Sequence, residues 1–310
     1  MAEVAIVVVT YNSADWITRC LSSIPAALSG RQAEIVVVDN ASTDDTVAAI
    51  RSGFPEVTLL VNDSNVGFAA AVNQGAANSA APIVVLLNPD AELHAGALDE
   101  LLTFAVNHPE HGVYGGRAED PDGNMLPNSC LALPSLWSTL CFALGLSSAL
   151  GRSRLFNPEA INGWQRDTVR EVGVVVGCLL LTTRDIWEEL HGLDERYFVY
   201  SEDVDFSARA AKRGYRPVIV PAAVITHGIG ASSESSGTRE VLILAGKITY
   251  IETQWTGWRR VIGRSLLRCG VALRAAIARA TGRGSRWQYA WTARAQWQDG
   301  FLARDPRPRV

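Results

Sequence analysis

Polar side chains follow three of the apolar runs in the sequence, at the point where each run ends. The clusters are Thr10-Tyr11-Asn12 after Val4–Val9, Asp39-Asn40 after Ile35–Val38, and Asn88-Pro89-Asp90 after Ile83–Leu87. The carboxylate of Asp39 can accept a hydrogen bond from an N–H of a nucleobase. Asn88 and Asp90 can hold a ribose or a metal-bridged diphosphate, and oxygen ligands beside two phosphates suit Mg²⁺ or Mn²⁺. These residues therefore indicate a nucleotide site with a divalent cation.

The glycine-rich loops that often hold nucleotides do not occur in the sequence. There is no GxxxxGK followed by Ser or Thr, and no GxGxxG after the first apolar run. A nucleotide bound by this chain would therefore be held by the side chains at the ends of the apolar runs.

Strand and helix patterns alternate through the first 107 residues. Short β-branched runs predict strands that are buried on both faces, at 4–9, 35–38, 57–61 and 83–87. The helices predicted between and after them lie at 13–28, 42–52, 67–79 and 98–107. This alternation predicts an α/β fold with a mainly parallel, Rossmann-like sheet flanked by helices. Ligands of such sheets lie beyond the carboxyl ends of the strands, which is where the three polar clusters fall.

After residue 110 the sequence pattern is mixed. Strand and helix patterns are found at 172–182, 184–191, 202–213 and 217–224. A Gly- and Ser-rich stretch at 228–238 then precedes a largely helical region at 239–282. The composition therefore places a boundary between a mixed body and a helical C-terminal region near residue 238.

Charge is distributed unevenly along the chain. Residues 1–239 carry 15 Lys and Arg against 28 Asp and Glu, whereas residues 240–310 carry 13 against 4. A basic tail on an acidic body usually meets phosphate or anionic lipid. We therefore expect the C-terminal region to face an anionic partner.

The cysteines and the N-terminal residues indicate in which cellular compartment the protein is expected. The five cysteines lie far apart without a CxxC pair, so we expect a reducing compartment rather than a zinc site or a disulfide framework. The N-terminus has no basic region before its first strand pattern, and no long uninterrupted apolar run occurs. We therefore expect neither a signal peptide nor a membrane-spanning helix.

Five sequence blocks occur in order along the chain. They are VTYN (9–12), VVDNASTD (37–44), NVGFAAAVNQG (65–75), LNPD (87–90) and DERYFVYSEDVDFSAR (194–209). Over about residues 4–230 the chain resembles the inverting family 2 glycosyltransferases of the GT-A fold. Three segments are similar to bacterial rhamnosyltransferases that act on polyprenyl-diphosphate-linked N-acetylglucosamine. They are PDG within 120–124, Pro134-Ser135-Leu136 and the DERYF block. The resemblance implies a catalytic domain over 1–238, with a nucleotide-sugar half at about 1–110 and an acceptor half at about 111–238, and a basic helical region over 239–310.

The resemblance also implies which residues bind the donor. Those that would line the nucleobase are Thr10, Tyr11, Asn12 and Asp39, with the Asp39 carboxylate on the base N3–H. Those that would border the nucleotide and its sugar are Asn65, Gly67, Phe68 and Asn73. Asn88-Pro89-Asp90 occupies the position of the family's DxD motif, so Asp90 would bind Mg²⁺ or Mn²⁺ together with His227. Asn88 departs from that motif, because it keeps a hydrogen bond to ribose but removes one charge from the metal site.

In this resemblance Asp203 matches the family's general base. Inversion needs one carboxylate that takes the proton of the acceptor hydroxyl while that oxygen attacks the anomeric carbon. A divalent cation stabilises the leaving nucleoside diphosphate. We expect Glu202, Gly177 and Cys178 to line the acceptor. Capping of a helix start is the alternative role of Glu202, because acids are favourable there.

The basic C-terminal region has an amphipathic pattern. Arg260, Arg264 and Arg268 recur every four residues among apolar residues. Such a helix suits an anionic membrane surface, and the tryptophans that add interfacial character are Trp255, Trp258, Trp287, Trp291 and Trp297. The alternative is that the apolar stripe packs on the body or on a second subunit of a homo-oligomer. A lipid-linked acceptor implies a cytoplasmic enzyme held peripherally at the inner face of the cell membrane.

Other classes of protein fit the sequence less well. A nucleotidyltransferase usually has a Gly-rich, basic loop for a triphosphate, which TYNSADW (10–16) lacks. A nucleic-acid partner is not expected, since the body is acidic and no recognition motif occurs. Among donors, the resemblance favours dTDP-L-rhamnose over UDP-linked galactofuranose, N-acetylglucosamine or glucose. The nucleobase stays open, because thymidine and uridine share the edge that Asp39 would contact.

Overall fold

A nine-stranded mixed sheet organises the residues that the computed structural model describes, 2–228 and 236–301. The strands of the chain are β1 Val4–Thr10, β2 Ala33–Asp39, β3 Thr58–Val61, β4 Ile83–Leu87, β5 Ala91–Leu93, β6 Val113–Glu119, β7 Cys130–Leu131, β8 Arg170–Glu171, β9 Val174–Val175, β10 Leu179–Thr183 and β11 Val218–His227. The order across the sheet is β3-β2-β1-β4-β10-β6-β11-β5, with β8 beside β11, and β7 and β9 form a separate pair. The predicted parallel half, β3-β2-β1-β4, is confirmed.

Helices cover both faces of this sheet. They are α1 Ala14–Ala27, α2 Thr46–Gly53, α3 Phe68–Ala77, α4 Ala97–Asn107, α5 Leu136–Ala143, α6 Leu146–Ala149, α7 Arg184–Glu189, α8 Glu202–Lys212, α9 Ser236–Gln254, α10 Gly257–Thr281 and α11 Ser285–Thr292. Every residue of β1 is buried, as expected for a central strand covered on both sides. One core cluster contains side chains of α1 and α4, and a second contains side chains of α3 and α7.

The second half of the sheet is antiparallel where it meets the first. β10 pairs antiparallel with both β4 and β6, so the start of β10 lies beside the end of β4. β11 then runs parallel to β6, and its last residue, His227, lies opposite Ala91 of β5. These two pairings carry residues from the second half of the chain to the edge where β1, β2 and β4 end.

The C-terminal helices pack on the body of the protein. A third core cluster joins Tyr197 and Ala208 to apolar residues of α9 and α10. Gly246 of α9 lies so close to the Tyr200 carbonyl that a Cβ could not fit between them. The residues on either side of the expected boundary at 238 therefore share one core. Within the Gly- and Ser-rich stretch, residues 229–235 lie outside the described part of the chain.

The expected amphipathic stripe of the C-terminal region is divided between two surfaces. Leu267 and Val271 of α10 face the core, whereas Val261, Ile262 and Ile277 are exposed. Trp255 and Trp297 are buried, so the expectation that all five tryptophans serve an interface is wrong for these two. No helix within the described ranges is long and apolar enough to cross a bilayer.

Candidate active site

The ends of β1 and β2 form a polar floor at one edge of the sheet. The register places Thr10 beside Asp39, and the Thr10 hydroxyl donates to Asp39 Oδ1 over 2.8 Å. The Ser42 N–H donates to Asp39 Oδ2, also over 2.8 Å. Both Thr10 and Asp39 are buried. The structure thus brings these two predicted residues together and fixes the orientation of the carboxylate.

Tyr11 and Asn12 lie at the rim of this floor. Asn12 adopts a left-handed backbone conformation with φ 51°, and its Oδ1 accepts from the Thr43 N–H over 2.8 Å. Tyr11 is 38% exposed, so it lies at the surface of the edge rather than in the core. The loop after β2 and the loop after β1 therefore hold each other in place.

The segment before α3 connects the edge where β1 and β2 end with the loop that precedes α8. Asn65 Oδ1 accepts from the Gly67 N–H, and the Phe68 N–H donates to the Phe198 carbonyl over 2.6 Å. Gly67 has φ 91°, and a Cβ there would lie 2.7 Å from the Phe198 oxygen. Only glycine suits both requirements.

Asn73 uses its amide to hold the same loop. Its Oδ1 accepts from the Leu193 N–H over 2.9 Å, and its Nδ2 donates to the Leu193 carbonyl over 2.8 Å. Any contribution of Asn73 to donor binding would therefore act through the position of the loop that Leu193 begins.

Asp90 and His227 meet at the end of β11. The Nε2 atom of His227 lies 3.3 Å from Asp90 Oδ1 and 3.3 Å from Asn88 Nδ2. Less than a fifth of the Asp90 and His227 side chains is exposed. An oxygen and an imidazole nitrogen at this separation can share one divalent cation, whose remaining positions would be open to a diphosphate and water. The donor set therefore fits Mg²⁺ or Mn²⁺.

Asp203 and Glu202 begin α8, directly after two strained residues. Tyr200 and Ser201 have φ 67° and 75°, a left-handed conformation that non-glycine residues adopt at an energetic cost. Asp203 Oδ2 accepts from the Gly177 N–H over 3.1 Å, and Oδ1 accepts from the Val204 N–H over 2.8 Å. The strain and these hydrogen bonds hold the Asp203 carboxylate in one orientation.

Burial raises the pKa of both acids at the start of α8. Desolvation raises the pKa of Asp203, and desolvation together with the Asp203 charge raises the pKa of Glu202 well above its usual range. Oε2 of Glu202 has no hydrogen-bond partner among the described residues. A base with a raised pKa and a neighbouring unpaired carboxyl is an arrangement common at catalytic sites.

Gly177 and Cys178 reach the same edge through the antiparallel pairing of β10. The Asn88 N–H donates to the Cys178 carbonyl over 3.2 Å. Burial raises the pKa of the Cys178 thiol to about 12, so the side chain stays neutral. A Cβ on Gly177 would meet only the Phe68 ring, at 3.9 Å. Gly177 therefore leaves room beside the Asp203 carboxylate.

One cavity connects these groups. Its volume is about 430 Å³, and its walls include Asn88, His227, Gly177, Glu202 and Asp203. The sequence did not identify the opposite wall, which α9 provides with Arg239, Ile243 and Lys247. Their four-residue spacing was visible, but a helix pattern does not reveal what its face contacts. The cavity is therefore lined by Asp203, the predicted base, and by His227, one of the two predicted metal ligands. The other predicted ligand, Asp90, contacts His227.

Relatives with known names match almost the whole chain. A family model, glycosyl transferase family 2, matches residues 5–153. N-acetylglucosaminyl-diphospho-decaprenol L-rhamnosyltransferase of Mycobacterium tuberculosis strain H37Rv is 34% identical over 300 residues, which cover 91% of this chain and 94% of that protein.

Solved structures share the fold at lower identity. The mannosyltransferase PcManGT of Pyrobaculum calidifontis, in complex with GDP-Man and Mn²⁺, is 20% identical, with a TM-score of 0.57 over 94% of this chain and 79% of its own. GalNAc-T7 with UDP, GalNAc and Mn²⁺ is 15% identical, with a TM-score of 0.60 over 87% of this chain and 51% of its own. These structures share the GT-A fold with this chain. The family model and the near full-length relative show that the chain belongs to glycosyltransferase family 2.

Proposed function

We propose that this glycosyltransferase moves L-rhamnose, with inversion, from dTDP-L-rhamnose to polyprenyl-diphosphate-linked N-acetylglucosamine. The observation that carries the proposal is the single cavity lined by Asp203 and by His227, whose imidazole lies 3.3 Å from the Asp90 carboxylate. The mycobacterial relative, whose name states this reaction class, supports the choice of sugar and acceptor. The product would serve the synthesis of a cell-envelope glycan.

The donor would lie along the edge where β1, β2 and β4 end. Asp39 and Thr10 form the floor for the nucleobase, and Tyr11 and Asn12 form its rim. Asn65, Gly67 and Phe68 would border the sugar nucleotide, and Asn88 would contact its ribose.

The residues that would hold the divalent cation are Asp90 and His227. When bound, this cation neutralises the charge that develops on the departing diphosphate. Asn88 lies within reach of His227, but its neutral side chain adds no charge to this pair.

Asp203 would act as the general base of one concerted displacement. Its carboxylate takes the proton from an acceptor hydroxyl while that oxygen forms a bond to the anomeric carbon. The bond from that carbon to the diphosphate oxygen breaks at the same time, and its electron pair leaves with dTDP. Attack opposite the leaving group inverts the anomeric centre. Two hydrogen bonds, from Gly177 and Val204, orient the carboxylate for this step.

The exposed side of α10 would hold the enzyme at an anionic membrane surface. Trp258, Val261, Ile262 and Ile277 are exposed large apolar side chains on this helix. Arg279 and Arg283 lie near its C-terminal end and are exposed. An apolar stripe beside arginines is typical of interfacial helices. This would bring the cavity to its lipid-linked acceptor.

Calorimetric titration tests the donor. The purified protein would be titrated with dTDP-L-rhamnose, UDP-galactose, UDP-N-acetylglucosamine and UDP-glucose, with Mn²⁺ or Mg²⁺ and with EDTA. We expect metal-dependent binding of dTDP-L-rhamnose alone, followed by mass-spectrometric detection of one added deoxyhexose on a synthetic polyprenyl-diphosphate N-acetylglucosamine. Tighter binding of a UDP-sugar would overturn the assignment of L-rhamnose.

A further inference from the structure

The active-site cavity extends beyond the catalytic carboxylates to α9. Arg239, Ile243 and Lys247 lie four residues apart on this helix, and all three line the cavity. Residues at this spacing share one face of a helix. The C-terminal region therefore supplies a wall of the active site as well as an exposed surface.

Two cations on this wall have hydrogen-bond donors to spare. The Lys247 ammonium lies 3.9 Å from Glu159 Oε2, beyond hydrogen-bond distance, and 5.7 Å from the centre of the Phe142 ring. The Arg239 guanidinium lies 6.0 Å from the centre of the Tyr200 ring, and no carboxylate of the described ranges is within 4.0 Å of it. Arginine and lysine carry five and three N–H donors, and no carboxylate of the described ranges lies within hydrogen-bond distance of either side chain, so both can pair with an anion.

The spacing of the two cations suits an extended anionic group. Eight residues of α-helix separate their Cα atoms by about 12 Å along the axis. Both side chains are long and flexible, so they can converge on a diphosphate that lies between them. A planar guanidinium and a mobile ammonium are both common phosphate ligands.

Much of the remaining wall is apolar, although Glu159 and Thr139 also line it. Leu131, Phe142, Ile251 and Leu267 line the cavity around Lys247 and Ile243. A cavity that combines carboxylates, cations and apolar side chains matches a ligand with a hydroxyl-bearing sugar, a diphosphate and a hydrocarbon chain. A sugar, a diphosphate and a hydrocarbon chain occur together in lipid-linked sugars and in few other substrates.

We propose that Arg239 and Lys247 bind the diphosphate of the acceptor, and that the apolar wall around Ile243 holds the first isoprene units of its lipid. This proposal rests on the proposed function, since it concerns the acceptor of the same reaction. It makes α9 the element that distinguishes a diphosphate-linked acceptor from a free sugar.

Binding of farnesyl diphosphate tests this site without requiring transfer. Titration would be carried out in EDTA, so that the probe cannot bind through a metal at Asp90 and His227. We expect Arg239→Gln and Lys247→Gln each to weaken binding about tenfold, as for loss of a charge-assisted hydrogen bond. Arg51→Gln, which changes an exposed arginine on α2, is the matched control and should bind as the wild type does.

Two further probes separate the charged and apolar parts. Ile243→Ser should weaken farnesyl diphosphate several-fold and leave inorganic diphosphate unchanged, whereas Arg239→Gln should weaken both. Farnesol should bind at least about tenfold more weakly than its diphosphate. Circular dichroism spectra of all variants would verify that they are folded.

The outcomes test the diphosphate site separately from the proposed transfer of rhamnose. Equal affinity of the wild type, Arg239→Gln and Lys247→Gln for farnesyl diphosphate would overturn the diphosphate site, even if rhamnosyl transfer occurs. Loss of binding in the two variants would support the site, even if the transferred sugar proves to be another. No binding of farnesyl diphosphate to the wild type would also count against it.

Discussion

The donor edge and the acceptor wall of the cavity are built in different ways. The donor edge consists of residues that directly follow parallel strands, and hydrogen bonds between neighbouring loops hold them, as between Thr10 and Asp39. The acceptor wall is assembled from the start of α8, the middle of α9 and part of α10, which are distant in sequence. The donor edge is polar and fixed by sheet register, whereas the acceptor wall combines acids, cations and apolar side chains.

This difference separates two tasks of the enzyme. A nucleoside diphosphate is a polar ligand, and strand ends offer fixed polar groups for it. A lipid-linked sugar needs apolar contacts near a base, which packed helices can provide. Changes at the donor edge should therefore affect donor binding and metal use, and changes at the acceptor side should affect turnover and acceptor affinity.

The largest effect is expected from Asp203→Asn. The amide keeps the shape of the side chain but cannot take the acceptor proton, so kcat should fall about 10³-fold. Donor affinity should change less than twofold, because Asp203 belongs to the acceptor side. Steady-state rates of sugar transfer, combined with calorimetric titration of the donor, measure both quantities.

The pH dependence of the transfer rate of the wild type provides a second test of Asp203 as the general base. Burial raises the pKa of Asp203, and the base must be ionised to act. The rate should therefore fall as pH decreases through this raised pKa, at a higher pH than an ordinary aspartate would give. A rate that falls only at the pH where an ordinary aspartate is protonated, or lower, would argue against Asp203 as the base.

The next largest effect is expected from Asp90→Ala at the donor edge. Loss of one of two protein ligands should lower kcat/KM about 10²-fold in saturating Mn²⁺, since a cation at the leaving group contributes several kcal/mol. In EDTA the variant and the wild type should bind the donor equally. His94→Ala, which removes an exposed histidine from the β5–α4 connection, should behave as the wild type does. An equal response to Mn²⁺ in Asp90→Ala and the wild type would remove Asp90 from the metal site.

Sequence predicted the donor edge well because its residues are local to their strands. The apolar runs fixed the positions of β1, β2 and β4, and parallel pairing then brings Asp39 and Asn88 to the same edge. His227 was named as a metal ligand only through the resemblance to the family, and that role stays a prediction. Its proximity to Asp90 depends on the pairing of β11 with β5, which spacing alone does not reveal.

The central strand β6 and the acceptor wall were harder to predict. β6 includes Gly115 and Gly116, which weaken a strand pattern, yet close neighbours leave no room for a Cβ at either position. In the sequence, Arg274 is one more arginine of the basic C-terminal region. It is buried, with its guanidinium 3.8 Å from the centre of the Phe142 ring and donating to the Phe142 carbonyl. Tertiary packing determines both the strand at β6 and the burial of Arg274, and a local sequence pattern does not reveal such packing.

A smaller effect is expected when the exposed stripe of α10 is made polar. The double change Ile262→Ser and Ile277→Ser removes apolar surface worth about 2 kcal/mol of membrane binding, so affinity for anionic vesicles should fall 10- to 30-fold by roughly this estimate. Flotation with phosphatidylglycerol vesicles measures it. Val106→Ser, on α4, is the matched control because Val106 is 73% exposed. If the double variant floats as well as the wild type but has a smaller hydrodynamic size, the stripe is instead an interface between subunits.

The smallest effect, a gain in stability, is expected from Glu202→Gln. Burial and Asp203 raise the pKa of Glu202, so the folded state holds this proton more tightly than the unfolded state. The contribution of Glu202 to stability is therefore present below its ordinary pKa and is lost as pH rises towards the raised value. Near pH 8 the glutamine variant, which does not titrate, avoids this loss of stability, and its melting temperature should be about 2–4 °C higher than that of the wild type. At pH 4 the two should melt together, and Glu188→Gln, an exposed acid on α7, should show no gain at either pH. A gain of the same size at both pH values would mean that packing, rather than charge, limits the stability of the acceptor side.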